Sequence, residues 1–178
     1  SLGDMYRGNA SFASTNGDVL IQANKGGIVF NNQQTSVTGQ LTDITGRNIT
    51  IDNTGAGMAV GAGTTAGSGG VLGGTVGLGS VNIDSASGAV TITAGTGTAA
   101  GTGINLASSA GMILNASQNI NIAGTSRSAS ASALNLQGVI NASQNIAIVG
   151  SNTNSANTAP IAYLNKSITS TNGKIDIT

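Results

Sequence analysis

Hydrophobic and polar residues alternate in short runs along the whole chain. A typical run holds an aliphatic residue, a small or polar residue and a second aliphatic residue, as in residues 49–51 (Ile-Thr-Ile), 120–122 (Ile-Asn-Ile) and 146–148 (Ile-Ala-Ile). Alternation with period two and β-branched residues predicts strands that bury one face. Each run is only about three to five residues long, so the strands need neighbours stacked on them to be stable.

One ten-residue segment occurs twice. Residues 115–124 (NASQNINIAG) and 141–150 (NASQNIAIVG) agree at eight positions and start 26 residues apart. Isoleucines recur at positions 92, 122, 148 and 177, at intervals of 30, 26 and 29 residues. Self-similarity at such a period is typical of architectures in which each repeat stacks on the next.

Each repeat holds three predicted strands. Between these isoleucines lie a first strand (residues 104–106, 134–136 and 163–164) and a central aliphatic segment (residues 113–114, 139–140 and 168). Three strands per turn predict an all-β fold, a right-handed parallel β-helix or solenoid. About six to seven coils are predicted from seven isoleucines taken as equivalent: Ile28, Ile51, Ile83, Ile92, Ile122, Ile148 and Ile177. A β-sandwich is the alternative, although its strands are usually longer and richer in aromatic residues.

The predicted domain organisation is a single β-helical segment, residues 1–178, which we expect to be a piece of a larger protein. Residues 53–79 interrupt the pattern, because eleven glycines fall within this stretch. Glycine permits tight bends, so flattened, irregular coils are predicted here. A protruding loop that contacts a partner is the alternative. The polar tracts 125–132 and 151–159 are predicted to be loops.

Composition narrows the class of protein. The 178 residues include no Cys, His or Trp, and six acidic residues balance six basic ones, so that the net charge is zero. Hydrophobic residues make up 39% of the chain, which together with zero net charge favours a folded chain over a disordered one. We expect no nucleic-acid partner, because binding nucleic acid needs a cluster of Lys and Arg. No run of about 18 apolar residues occurs, so direct membrane insertion is not expected.

The same composition removes most catalytic chemistry. Without His and Cys, neither a Ser-His-Asp triad nor a Cys-His pair can form, and transition metals lose their usual ligands. We therefore expect no catalytic residue, no metal site, no cofactor and no enzymatic activity. A polysaccharide-degrading enzyme is an alternative that needs paired carboxylates on neighbouring coils. Asp52, Asp84 and Asp176 follow or lie within aliphatic runs and are predicted to face outward, with Asp52 able to stack beneath Asp84.

Three surface residues are candidates for carbohydrate binding. Tyr163 follows the loop that contains Pro160, and its ring offers a face on which a sugar can stack. Lys166 lies beside it in the sequence, and Arg127 lies in the matching loop one coil earlier, so these residues could converge on one edge. The alternative is an exposed tyrosine that packs over a loop.

Five Asn-x-Ser/Thr sequons are possible glycosylation sites: Asn9, Asn48, Asn115, Asn141 and Asn165. In a chain this rich in Asn, Ser and Thr, several such matches arise by chance. The equivalent positions of Asn115 and Asn141 in the repeat favour a different role, a stacked Asn ladder at a turn whose side-chain amides bond coil to coil.

Three segments carry a resemblance to a known family. Residues 47–52 (RNITID), 118–124 (QNINIAG) and 173–178 (GKIDIT) resemble the repeats of filamentous haemagglutinin-like exoproteins of Gram-negative bacteria. Within that family, the segments resemble the repeats of the high-molecular-weight adhesins of the two-partner secretion pathway. The resemblance covers about residues 16–178 and rests on degenerate repeats. The Asn-Pro-Asn-Gly type signature of the family's secretion domain does not occur, so the chain is predicted to be repeat shaft or receptor-binding region.

The resemblance implies a function and a location. It implies a secreted protein of the bacterial cell surface that adheres to host-cell glycans or glycoproteins through loops on a β-helical shaft. It also implies that an outer-membrane secretion partner exports the full-length protein. One alternative is the stalk of a secreted filamentous or contact-dependent toxin-delivery protein without a ligand of its own. The polysaccharide-degrading enzyme is the second alternative.

Overall fold

The computed structural model of the chain describes residues 6–7, 11–22, 28–30, 41–53, 71–73, 80–94, 103–107, 112–126, 129–130 and 132–178. Within these ranges the chain forms short strands and no helix. In chain order the strands are β1 (Tyr6–Arg7), β2 (Ser11–Ala13), β3 (Val19–Gln22), β4 (Ile28–Phe30), β5 (Leu41–Gly46), β6 (Ile49–Asn53), β7 (Val71–Gly73), β8 (Ser80–Ser85), β9 (Val90–Ala94), β10 (Ile104–Ala107), β11 (Met112–Ala116), β12 (Ile120–Ser126), β13 (Leu134–Gln137), β14 (Val139–Ala142), β15 (Ile146–Asn152), β16 (Ala162–Leu164), β17 (Ile168–Ser170) and β18 (Ile175–Ile177).

The strands form three parallel sheets, and successive strands belong to successive sheets. Sheet A has the order β1-β4-β7-β10-β13-β16, sheet B the order β2-β5-β8-β11-β14-β17, and sheet C the order β3-β6-β9-β12-β15-β18. We call three successive strands, one from each sheet, a coil. The prediction of an all-β, parallel solenoid with three strands per turn is confirmed.

The register agrees with the spacing seen in the sequence. In sheet C, Ile122 pairs with Ile92 on one side and with Ile148 on the other, and Ile148 pairs with Ile177. The predicted central segment forms sheet B, where Leu114, Ile140 and Ile168 occupy equivalent positions. The predicted first strand forms sheet A, in which Leu106, Leu136 and Leu164 are equivalent. Intervals of 26 to 30 residues therefore mark one complete coil.

The predicted count of six to seven coils rested on a wrong assumption about which isoleucines are equivalent. It treated seven isoleucines as equivalent, but Ile28 lies in sheet A and Ile83 in sheet B. A three-residue aliphatic run looks the same on any face, so strands of different sheets were counted as separate coils. About three coils, residues 103–178, are described with only short gaps, fewer than the sequence predicted.

The core is a stack of aliphatic side chains. Alternate residues of β9 and β12 are buried, so these strands direct every second side chain inward. Ile92, Ile122 and Ile148 are at most 1% exposed. Burying one such side chain contributes roughly 1.5–3 kcal/mol. The buried set comprises Ile21, Ile44, Ile49, Ile51, Ile83, Val90, Ile92, Ala94, Ile104, Leu106, Met112, Leu114, Ala116, Ile120, Ile122, Ala133, Leu134, Leu136, Ile140, Ala142, Ile146 and Ile148.

Two predicted loops begin as strand. β12 extends to Ser126 and β15 to Asn152, and Gly124, Thr125 and Ser126 pair with residues 150–152. The polar tracts therefore continue the sheet before the chain turns, because their alternation of small and hydroxyl side chains is compatible with a strand. The glycine-rich stretch 53–79 lies outside the described residues, apart from Asn53 and the strand β7. Its predicted role stays a prediction.

The corner between sheets B and C occurs in two forms. Long corners at residues 15–18, 86–89 and 171–174 follow Ser14, Ser85 and Ser170, and shorter ones lie at residues 47–48, 117–119 and 143–145. In each long corner a glycine N–H donates to the hydroxyl oxygen of the serine three residues earlier, at 3.0–3.1 Å. We call this serine–glycine pair the serine clip.

Two long corners lie directly on a short corner of the preceding coil, and their backbones approach each other closely. A Cβ added at Gly173 would lie 2.5 Å from the Gln144 carbonyl carbon, and one at Gly88 would meet the Arg47 carbonyl oxygen. Ser170 Oγ donates to the Gln144 carbonyl at 2.6 Å, and Ser85 Oγ donates to the equivalent Arg47 carbonyl. Glycine is therefore required here by the close approach of one backbone to the next.

Candidate functional site

Sheet A presents an outward surface that combines one aromatic ring with several amides. Tyr163 lies in β16 between Ala162 and Leu164, which both pack against the core, so alternation directs its ring outward. Tyr163 is 50% exposed, and it pairs in register with Asn135 of the preceding coil. The predicted exposure of Tyr163 is thus confirmed.

The amides around this ring belong to two consecutive coils. Gln137 Nε2 donates to Asn135 Oδ1 at 3.0 Å, which fixes both side chains on the outer face of β13. In the next coil, Asn165 stacks on this strand through its N–H, which donates to the Leu136 carbonyl at 3.2 Å. Lys166 follows and is exposed. We call Asn135, Gln137, Tyr163, Asn165 and Lys166 the tyrosine patch.

The tyrosine patch has the chemistry that sugars require. A tyrosine ring has an apolar face for the C–H surface of a sugar and a hydroxyl at its edge. Amide side chains each provide both donors and acceptors, which match the hydroxyl groups of a sugar. Lys166 adds three donors and a positive charge, and it has no ion pair with another described residue. Arg127, the third predicted residue, lies outside the described residues, so its convergence with Tyr163 stays a prediction.

The sequons occupy very different environments. Asn141 Nδ2 donates to Asn115 Oδ1 at 3.1 Å, so the predicted Asn ladder is confirmed, although it lies within strands β11 and β14 and not at a turn. Asn48 is half-buried, and its amide donates to Asp18 at 3.0 Å. Asn165 is exposed, whereas Asn9 lies outside the described residues.

A second ladder, which the sequence analysis missed, runs along the corner between sheets B and C. The side-chain oxygen of the residue just before a sheet C strand accepts the backbone N–H of the equivalent residue in the next coil. Asp18 accepts from Asn48 at 3.2 Å, Asn48 from Ala89 at 3.1 Å, and Asn145 from Lys174 at 3.0 Å. Asn119 likewise accepts from Asn145 at 3.0 Å. We call this row the corner ladder.

A sequence signal for the corner ladder exists. Asp18, Asn48, Asn119 and Asn145 each come directly before an aliphatic run of sheet C. Asx residues readily bond to nearby backbone groups, which is the property used here between coils. The signal was present in the ten-residue repeat, but the repeat alone does not show that the donor belongs to the next coil.

An ion pair anchors the first step of the corner ladder. Arg47 Nε and Nη2 donate to the two carboxylate oxygens of Asp18 at 2.9 and 3.2 Å. These hydrogen bonds, with those from Asn48, lower the pKa of Asp18 to about 2. The pairing raises the pKa of Arg47. Both side chains are about half exposed, so the pair is a surface interaction that salt weakens.

The sequence analysis allowed Asp52 to stack beneath Asp84, but the fold separates these two carboxylates. Asp52 lies in β6 of sheet C, whereas Asp84 lies in β8 of sheet B, so the predicted stacking of the two is wrong. Asp52 instead accepts from Gln22 Nε2 at 2.9 Å and from Thr93 Oγ1 at 2.8 Å, on the outer face of sheet C. Within the described ranges, no three carboxylates, imidazoles or thiols come together as a metal site.

Comparison with known proteins gives no relative. No protein-family model matches the chain, and neither a curated protein nor a solved structure is detectably similar to it. The described residues contain no helix that is long and apolar enough to cross a membrane. The class that the fold defines is therefore a parallel β-solenoid, and the resemblance to filamentous haemagglutinin-like exoproteins stays a prediction.

Proposed function

We propose that the chain is a segment of a bacterial surface adhesin that binds host-cell glycans or glycoproteins through the tyrosine patch. The observation that carries the proposal is the half-exposed ring of Tyr163, flanked by the amides of two coils on the outer face of sheet A. A flat array of amides around an aromatic ring provides both stacking and hydrogen bonding to a saccharide. Strands β13 and β16 position Asn135, Gln137 and Tyr163 more rigidly than loops would.

The remaining properties of the proposed adhesin follow from its class. We propose a right-handed winding, because parallel crossovers are almost always right-handed. The secreted, Gram-negative cell-surface location and the outer-membrane secretion partner rest on the sequence resemblance. Zero net charge is compatible with binding a glycan, and it gives no support to binding nucleic acid.

A structural stalk is the second candidate, and a separate observation supports it. The corner ladder and the Asn115–Asn141 bond link coil to coil without any chemistry directed at a ligand. Such ladders stiffen a shaft, because the coils that they join are bonded through side chains as well as through the backbone. If the chain is a stalk, the tyrosine patch is exposed surface without a ligand.

Glycan-array binding of the purified chain distinguishes the two candidates. We expect the wild type to bind a subset of glycans and Tyr163→Ala to lose at least about tenfold in affinity, which corresponds to about 1.4 kcal/mol. Thr169→Ala is the matched control, because Thr169 is an exposed residue of β17 in the same coil but on sheet B. Tyr163→Phe then separates the contribution of the hydroxyl from that of the ring.

Two results would contradict the proposal. If the wild type binds no glycan on the array, the stalk is favoured. If the wild type binds and Tyr163→Ala binds equally well, the adhesin function survives but the tyrosine patch is not its site. Circular dichroism of each variant checks that the solenoid is intact.

A further inference from the structure

Two corners of the solenoid share the same four residues. Residues 14–17 and 170–173 both read Ser-Thr-Asn-Gly, and they contain the two Asn-Gly dipeptides of the chain, Asn16-Gly17 and Asn172-Gly173. Both are long corners between sheets B and C. Asn16 and Asn172 are exposed to solvent.

An exposed Asn-Gly dipeptide can modify itself. The backbone nitrogen of the glycine loses its proton to solvent base and attacks Cγ of the asparagine side chain. A bond forms between that nitrogen and Cγ, the Cγ–Nδ2 bond breaks, and ammonia leaves. Water then opens the resulting succinimide at either carbonyl, which gives aspartate or isoaspartate. Glycine favours this reaction because it has no Cβ to block the approach or restrict the backbone.

In both corners the glycine nitrogen that would attack is already hydrogen-bonded. Gly17 N–H donates to Ser14 Oγ at 3.0 Å, and Gly173 N–H donates to Ser170 Oγ at 3.0 Å. The nitrogen must leave this hydrogen bond before it can lose its proton and turn towards the asparagine side chain. The serine clip at Ser85 and Gly88 has the same geometry with Ser87 before the glycine, so the clip does not depend on asparagine.

Packing on the preceding coil further restrains the second corner. Thr171 N–H donates to the Ala142 carbonyl at 3.0 Å, and Asn172 N–H donates to the Ser143 carbonyl at 2.9 Å. Gly173 lies directly on the peptide between Gln144 and Asn145, with no room for a Cβ. The backbone rotation that brings the Gly173 nitrogen to the Asn172 side chain would break these contacts.

We infer that Asn16 and Asn172 are sites of spontaneous deamidation, and that the hydroxyls of Ser14 and Ser170 set its rate by holding the attacking nitrogen. In the folded protein the reaction is slow, and it accelerates wherever the clip opens. Isoaspartate at position 172 adds one atom to the backbone of a corner whose length is matched to the coil below. The modification therefore loosens this corner as well as adding a negative charge.

Peptide mapping of the folded chain by mass spectrometry tests the inference. The wild type, Ser170→Ala and Ser167→Ala are incubated in mildly alkaline buffer, and the deamidated and isoaspartate fractions at Asn172 are followed over time. Ser170→Ala should deamidate at Asn172 about tenfold faster than the wild type, since one hydrogen bond no longer has to be broken. Ser167→Ala should match the wild type, because Ser167 is an exposed residue outside the corner.

The reaction at Asn16 reports on folding within the same sample. Its rate should stay unchanged in Ser170→Ala, and a parallel rise at both sites would show global unfolding and not loss of the clip. Alanine is tolerated at this position of the coil, since Ala116 and Ala142 are its equivalents. Ser170→Thr keeps a hydroxyl and should restore the slow rate. Equal rates in Ser170→Ala and wild type, or no deamidation even of the urea-unfolded chain, would overturn the inference.

Discussion

At the scale of single residues, short polar side chains replace contacts that a sheet corner cannot make. Where the backbone turns between sheets B and C, some N–H groups donate to a side-chain oxygen of the preceding coil and not to a backbone carbonyl. Asn48 and Asn145 each provide a side-chain oxygen for such an N–H. An N–H left without an acceptor costs more free energy than a satisfied N–H contributes. These residues therefore stabilise the fold chiefly by preventing that cost.

Asp18 makes the first step of the corner ladder sensitive to acid. Its folded-state pKa is about 2, below the ~4 of an unpaired carboxyl, so its contribution to stability is complete above pH ~4 and is lost as pH falls towards 2. We expect Asp18→Asn to lower the urea midpoint of unfolding at neutral pH. The difference from wild type should close between about pH 4 and pH 2, because the protonated wild-type carboxyl no longer pairs with Arg47.

Urea unfolding at a series of pH values, followed by circular dichroism, measures this difference. Arg47→Gln removes the partner and should flatten the acid dependence in the same window. The difference should also shrink in high salt, since both groups are half exposed. A gap between Asp18→Asn and wild type that persists unchanged at pH 2 would contradict the assignment.

At the scale of elements, the corner controls how one coil fits on the next. Long corners carry a serine clip and a glycine, and Gly88 and Gly173 lie on the short corners that contain Asn48 and Asn145. The corner ladder runs along the same line. It is interrupted at Ala89, whose N–H donates to Asn48 Oδ1 but whose side chain has no oxygen to accept the N–H of Asn119. The ladder is thus continuous from Asp18 to Ala89 and again from Asn119 to Lys174.

Ala89→Asn should join the two parts of the corner ladder. In the existing ladder, the side-chain oxygen of Asn119 accepts the N–H of Asn145. The side-chain oxygen of an asparagine at position 89 would accept the N–H of Asn119 in the same way. We expect the free energy of unfolding to rise by about 0.5–1 kcal/mol. Ala86→Asn is the matched control, because it places the same side chain at an exposed position of the same corner. An equal effect of both substitutions, or none from Ala89→Asn, would show that the gap is not a missing hydrogen bond.

The elements also show what sequence can and cannot predict. Tyr163 was predicted at the surface, and Asn115 and Asn141 were predicted to stack, because equal positions in a repeat become neighbours in space. The sheet to which a strand belongs was not predictable for residues 28–30 and 81–83. An aliphatic alternation has the same period on every face, and corners of different length remove the fixed spacing that would reveal the face. The error for Asp52 and Asp84 has the same cause.

At the scale of the whole molecule, the solenoid has contacts only between neighbouring coils, so its stability is approximately a sum over nearest neighbours. A destabilising substitution in an inner coil weakens the contacts with both neighbouring coils. The same substitution in a coil with a single described neighbour weakens one set of contacts. Ile122 is 1% exposed and is paired on both sides, by Ile92 and Ile148. Ile177 occupies the equivalent position in β18, pairs with Ile148 and is 46% exposed in the 178-residue chain.

Ile122→Ala and Ile177→Ala therefore make the same chemical change in two different settings. We expect Ile122→Ala to cost about 3 kcal/mol, because it leaves a cavity in a close-packed stack, and Ile177→Ala to cost less than about 1 kcal/mol. Urea unfolding followed by far-ultraviolet circular dichroism measures both. Ile122→Ala should also split the transition into two steps, since breaking the coupling in the middle of a one-dimensional stack lets the two sides unfold separately. If the two substitutions lower the free energy of unfolding equally, the coils unfold as one common core. That result would contradict the nearest-neighbour model of stability for this molecule.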